Sequence, residues 1–234
     1  MLGFTLSKMN LLILVFAVFA ILSFFLMNLQ EIIVGREANQ LVKQYSDVVR
    51  QKINSNNLCD SSLGVYIRPE INFFASGNSS QRFFYVLNIS KKGTSDPESQ
   101  DVLIFSISPR KEREKIIAAD SLYSKAVFRL YSYNPNDSPA VKTADVSATD
   151  SNTVLDPQAT VPVNAMNVVK EVYNGTTYIH VIPCSNVTSS VCENALGIVG
   201  CILCNERGGV RKDNASKCVP PLGAGECPSA YACN

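Results

Sequence analysis

From Leu11 to Met27 the chain reads LLILVFAVFAILSFFLM, with no charge and Ser23 as its one polar residue. Extended to Met9 and Leu29, this run would rise about 31 Å as a helix, and a bilayer core is about 30 Å thick. It exceeds the ~7–15 residue apolar core of a cleaved secretory signal, and no small-x-small cleavage site follows it. The pattern predicts a retained transmembrane helix over 9–29, preceded by a short cytoplasmic leader or tail, residues 1–8. No second run of this length follows, so a single crossing is expected.

Beyond Leu29 the hydrophobic pattern changes, but the element it predicts does not. Val34, Ala38, Leu41, Tyr45, Val48 and the pair Lys52-Ile53 recur at spacings of three and four, which is one stripe of an amphipathic helix. Gly35 is the one glycine between Gly3 and Gly64. Inside a helix it costs about 1 kcal/mol relative to alanine and marks a candidate bend. The first proline is Pro69, and the run Asn54-Ser55-Asn56-Asn57 reads as a stop. Residues 30–57 therefore continue the span as one helix of about fifty residues, and the stripe requires a cover.

Strand patterns follow. Arg82–Ser90, Asp101–Ser108 and Ala126–Tyr133 are aromatic and β-branched with partial alternation, and the stretch from Leu63 to Ser76 holds two shorter candidates. Asn174-Gly175 supplies a two-residue turn with positive φ between strand-like arms, predicting a hairpin from Val168 to Pro183. The run from Ser108 to Asp120, SPRKEREKIIAAD, fits either a helix begun at Ser108-Pro109 or a charged turn before a strand at Lys115–Ala119. Residues 134–162 lack aromatics and carry few large apolar side chains, which predicts a long exposed, flexible loop. The expected fold class is α+β: a long N-terminal transmembrane helix whose amphipathic half packs on an antiparallel β-sheet head over 58–183, then a disulfide-rich tail over 184–234.

Charge adds mainly exclusions. With 21 basic and 20 acidic residues the formal net charge is +1, so no electrostatic footprint for nucleic acid is present. Lys8 and the terminal amine precede the apolar run, and Glu31 is the first charge after it. The positive-inside bias then puts the N-terminus in the cytoplasm and the C-terminal domain outside the cell.

The eight cysteines agree with that orientation. Cys59, Cys184, Cys192, Cys201, Cys204, Cys218, Cys227 and Cys233 all follow the span, and most crowd into the polar tail. An even number so placed reads as a disulfide framework in an oxidising compartment. The spacing of Cys201, Cys204, Cys218 and Cys227 loosely matches a zinc ribbon, but the second half lacks a close pair. Cys59 is positioned to tie the end of the helix to the tail. Six glycosylation sequons, at Asn78, Asn88, Asn136, Asn174, Asn186 and Asn214, also lie beyond the span and permit an external location without requiring it.

The opening residues carry a resemblance. Gly3-Phe4-Thr5-Leu6, leading directly into a long apolar helix, resembles the start of type IV pilins and pseudopilins. The resemblance implies that a prepilin peptidase cuts between Gly3 and Phe4 and leaves Phe4 as the mature first residue. It also implies a long helix half packed on an antiparallel sheet, and a C-terminal region closed by disulfides. Two features depart from the family. The fifth mature residue, usually a glutamate that neutralises a neighbouring subunit's terminal amine, is Lys8 here, which would set two positive charges against each other in low dielectric. The leader Met1-Leu2-Gly3 is short and carries no basic residue. The resemblance covers the helix by motif and pattern, and the rest of the chain in class only.

Catalytic chemistry has little to rest on. His180 is the one histidine and falls inside a predicted strand, where a satisfied structural role is expected. No glycine-rich phosphate loop, H-E-x-x-H or G-x-S-x-G is present. No catalytic residue, metal or cofactor is expected. The expected function is a pilin-like or pseudopilin-like cell-surface subunit, anchored by its helix and associating with copies of itself or other pilin-like subunits in a filament. The other reading is a monomeric signal-anchored protein whose head serves binding or adhesion.

Overall fold

The structure, a computed structural model, describes residues 2–58, 64–76, 79–93, 100–134, 136, 141–143, 150–173, 175–186, 210–212, 217–219 and 231–232. Its first element is a single helix, α1 (Leu2–Asn54). Helical structure runs through Gly35, where the side-chain amide of Asn39 donates to the Gly35 carbonyl at 2.9 Å. The helix ends in the expected asparagine-rich run. Both the backbone N–H and the hydroxyl of Ser55 donate to the Lys52 carbonyl, at 3.3 and 3.0 Å, and satisfy a carbonyl of the last turn.

Strands β1 (Gly64–Tyr66), β2 (Glu70–Ser76), β3 (Ser79–Lys92), β4 (Asp101–Pro109), β5 (Ala118–Ser124), β6 (Val127–Tyr133), β7 (Val141–Thr143), β8 (Asp150–Leu155), β9 (Ala165–Tyr173) and β10 (Thr176–Cys184) form two sheets. The first has the order β2-β3-β4-β5, with β8 joined to β3. β3 is long enough to be shared: its N-terminal part pairs with β2, and Leu87–Lys92 pairs with β4 on one side and β8 on the other. The second sheet has the order β1-β9-β10-β6-β7. Its β9–β10 pair is the expected hairpin, with Tyr173 opposite Thr176 and Gly175 at φ +76°, a conformation open to glycine at no steric cost. A smaller ribbon joins β11 (Val210–Lys212), β12 (Lys217–Val219) and β13 (Tyr231–Ala232).

Three features differ from the sequence reading. The sheets are not wholly antiparallel, because β6 and β10 pair in parallel, with Phe128 opposite Ile179. Of the two readings of the run after Pro109 the charged turn is the one seen, closed by Glu112 N–H to the Pro109 carbonyl and Lys115 N–H to the Glu112 carbonyl, but the strand begins at Ala118 rather than Lys115. The stretch 134–162, expected as an exposed loop, contains β7 and β8, and Val141, Thr153 and Leu155 are buried. That segment has too little apolar surface to order itself, but it gains order by pairing with β3 and β6. Asp156 then accepts from Arg110 Nε at 3.2 Å and Arg113 Nη2 at 2.9 Å, and its carbonyl accepts from Ala159 and Val163. Two guanidinium partners offset the cost of holding this carboxylate largely out of water.

One buried apolar cluster holds Tyr85, Leu87, Ile89, Phe105 and Ile107 of the first sheet together with Phe128, Leu130, Met166, Val168, Ile179 and Val181 of the second. Ala38, Leu41, Val42, Tyr45 and Val49 belong to the same cluster. The observed stripe thus passes through Val49 rather than Val48, which is only half-buried. Between the sheets, the Thr153 hydroxyl donates to the Tyr131 carbonyl at 2.8 Å.

Candidate functional site

The feature most able to carry a function is α1 with its surroundings. From Lys8 to Phe25 it is long and apolar enough to cross a membrane, and none of that segment is buried within the chain. Phe16 is 67% exposed and Phe24 66%. Apolar groups so placed on every side have no cover among the described residues, and hydrocarbon is the solvent that suits them.

Higher on the helix the surroundings are specific. The Tyr45 and Tyr85 hydroxyls lie 3.1 Å apart in the core, and the Arg68 backbone N–H donates to Tyr45 Oη at 3.2 Å. Burial pushes the Tyr45 hydroxyl above its ordinary pKa, partly countered by its bonds to Tyr85 and Arg68. Burial also raises Tyr85, and the neighbouring Tyr45 raises it further. At the next residue, the Ser46 hydroxyl contacts Asp120 on β5, and one turn further on Arg50 Nη2 stands 4.0 Å from the same carboxylate. At the helix end, Lys170 Nζ on β9 donates to the Ile53 and Ser55 carbonyls, each at 2.7 Å. A cation placed there satisfies terminal carbonyls and complements the negative end of the helix dipole.

Between the lower part of the head and α1 runs a crevice of about 490 Å³, lined by Glu31, Val34 and Gly35 on one side and Phe83, Pro109 and Lys115–Ile117 on the other. It is open, mixed in polarity, and holds no cluster of nucleophile and base.

His180 is buried in β10 with both ring nitrogens engaged. Nδ1 lies 2.9 Å from the Tyr131 hydroxyl and Nε2 2.9 Å from Glu171 Oε2. His180 is 0% exposed and Glu171 3%, so no substrate meets this line in the conformation seen; its evident work is to satisfy polar groups inside the second sheet. The sequence reading did not name Glu171, although the hairpin register could have found it. The register of the Asn-Gly hairpin puts Glu171 opposite Tyr178, diagonal to His180 on one face. Tyr131 was not legible, because it arrives from β6 through the parallel pairing.

The remaining sequence-derived positions scatter. Gly3 and Phe4 lie in the first turns of α1, and Lys8 is exposed at the start of the apolar segment. Cys184 is buried and disulfide-bonded, and no described cysteine is free. Cys218 lies on β12, whereas Cys59, Cys192, Cys201, Cys204, Cys227 and Cys233 fall outside the described residues. Asn136 and Asn186 are exposed. Asn88 sits mid-strand in β3, paired on both edges and with a buried Oδ1, a poor seat for a glycan. Asn78, Asn174 and Asn214 fall outside the described residues. Among the described residues, no group of three or more His, Cys, Asp or Glu is placed to hold a metal. Comparison with protein-family models, with curated proteins and with solved structures finds no match to this chain.

Proposed function

We propose that this protein is a pilin-like or pseudopilin-like cell-surface subunit, held in the membrane once by the lower half of α1, with its N-terminus in the cytoplasm and its head outside. One observation carries the reading. A single helix, Leu2–Asn54, is uncovered over its apolar half, while its upper half contributes Ala38, Leu41, Tyr45 and Val49 to the core of a β-rich head. A simple anchor needs only the span. A rod that continues rigidly into the head also fixes how the head stands above the membrane and offers one long apolar face to neighbouring copies. The disulfide at Cys184 supports the external location.

Lys8 is the feature that favours the second reading, a monomeric signal-anchored binding or adhesion protein, because a lysine at the edge of a span is a natural topological anchor. N-terminal sequencing of the protein from its native membrane separates the two. The pilin-like reading expects Phe4 as the first residue, after cleavage by a prepilin peptidase; a chain starting before Gly3 sinks it. If processing occurs, Lys8→Glu should increase recovery of the subunit in sheared surface filaments, because it replaces a like-charge contact with an opposite one.

A further inference from the structure

We infer that the turn between β4 and β5, residues 110–117, is a foot that rests in the headgroup layer of the bilayer spanned by α1, with Ile116 inserted. The inference rests on the membrane-spanning reading above and adds a second contact with the lipid. Height is the first argument. The apolar run ends at Leu29, and at 1.5 Å per residue Glu31 to Gly35 stand about 3–9 Å above it. The crevice brings Lys115, Ile116 and Ile117 level with those helix residues. A headgroup layer is roughly 5–8 Å deep on each side of the core, so with α1 upright the turn lies within it.

Surface chemistry is the second argument. Ile116 is a large apolar side chain, 62% exposed, and it lines the crevice with Glu31, Val34 and Gly35, just above the exposed Leu29 and beside the exposed Ile32 in helix position. Lys111 and Lys115 are exposed in the same turn. An apolar residue directly following lysines whose stems can lie along lipid while their ammonium groups reach phosphate is the pattern of an interfacial contact. Glu112 and Glu114 are exposed beside them, so electrostatic attraction is weak. Seating by Ile116 and tethering by α1 therefore hold the contact, in zwitterionic lipid as well as anionic.

Rigidity is the third argument. Arg110 and Arg113 are pinned to Asp156, and the Ile117 N–H donates to the Ile107 carbonyl at 2.9 Å. The turn is braced from behind and presents Ile116 without having to order itself.

The chain contains no tryptophan, which makes a direct test possible. Ile116→Trp, Tyr123→Trp and Phe16→Trp are each made in the full chain and reconstituted in phosphatidylcholine nanodiscs carrying bromine either near the top of the acyl chains or deep within them. Tyr123 is exposed on β5, three residues beyond Asp120, which meets Ser46 about 25 Å above Leu29. The inference expects blue-shifted emission from I116W with quenching by the shallow bromines, while Y123W stays solvent-like and unquenched. F16W should be quenched most by the deep bromines. Solvent-like, unquenched emission from I116W with F16W quenched overturns the foot and leaves the span standing. A blue shift in I116W without bromine quenching also overturns it, and assigns the surface to a second copy of the chain. If F16W is unquenched, the spanning reading falls and the foot falls with it.

Discussion

Phe16 and Tyr45 stand on one continuous helix about eight turns apart, yet their surroundings share nothing. Around Phe16 every neighbouring side chain is apolar, and none is covered by the described residues. Around Tyr45 the helix has one buried face, with Lys43 and Gln44 exposed on the other side, and the buried face meets particular atoms, the Tyr85 hydroxyl and the Arg68 N–H, inside a cluster that also holds Leu87 and Phe105. The lower half needs only a solvent, because a helix apolar on all sides has no preferred direction. The upper half needs a partner of definite shape, because its stripe is narrow and its polar faces must stay wet. The same backbone therefore serves two kinds of specificity, and the change between them falls at Glu31–Gly35, where the crevice lies.

The contrast is broken most directly at its two centres. Tyr45→Ala should destabilise the head by about 3–5 kcal/mol, the usual cost of emptying a buried aromatic site. Phe16→Ala should move the same denaturation curve by no more than about 0.5 kcal/mol, as exposed substitutions do. Urea titration of the full chain in detergent, followed by circular dichroism, reads both. Equal losses would mean that the two halves are not held differently.

Alkali sharpens the contrast chemically. Tyr45 and Tyr85 have hydroxyl pKa values raised by burial, so above about pH 10 the unfolded chain releases protons that the folded chain retains. Their contribution to stability is intact below pH 10 and declines as pH rises beyond it, by about 1.4 kcal/mol per pH unit for each tyrosine. Melting temperatures from pH 9 to 11 should fall less steeply in Tyr45→Phe than in the parent. An unchanged slope would show that Tyr45 is not sealed from solvent in the folded head.

The smallest effect is expected at the boundary. A Cβ added at Gly35 meets nothing within 4 Å, and the residue lies inside the helix. Gly35→Ala should therefore raise stability by about 0.5–1 kcal/mol through reduced backbone entropy in the unfolded chain. A loss instead would show that α1 bends at Gly35, or packs there against another chain, in a way alanine cannot follow.

Much of this architecture was legible because its causes are local. A long unbroken apolar run, a three-four spacing after it and an Asn-Gly pair between β-branched arms state their elements without reference to the rest of the chain. The misreadings share one physical origin. Residues 150–155 look incapable of order by composition, and they pair with β3 because a neighbouring strand offers a free edge. Asp156 looks like an ordinary loop carboxylate until Arg110 and Arg113 reach it from a turn more than forty positions earlier. Lys170 has the appearance of a surface lysine on a strand, and it closes the end of a helix over a hundred residues away.

By itself, then, the sequence determined the long helix, its apolar lower half and the hairpin, because hydrophobic periodicity and turn chemistry act over a few residues. Tertiary structure alone decided the parallel pairing of β6 with β10, the ordering of 150–163, the burial of Val49 in place of Val48, and the meeting of Tyr131 with His180. Each of those depends on a partner brought close by the path of the chain, and no local pattern records which partner that will be.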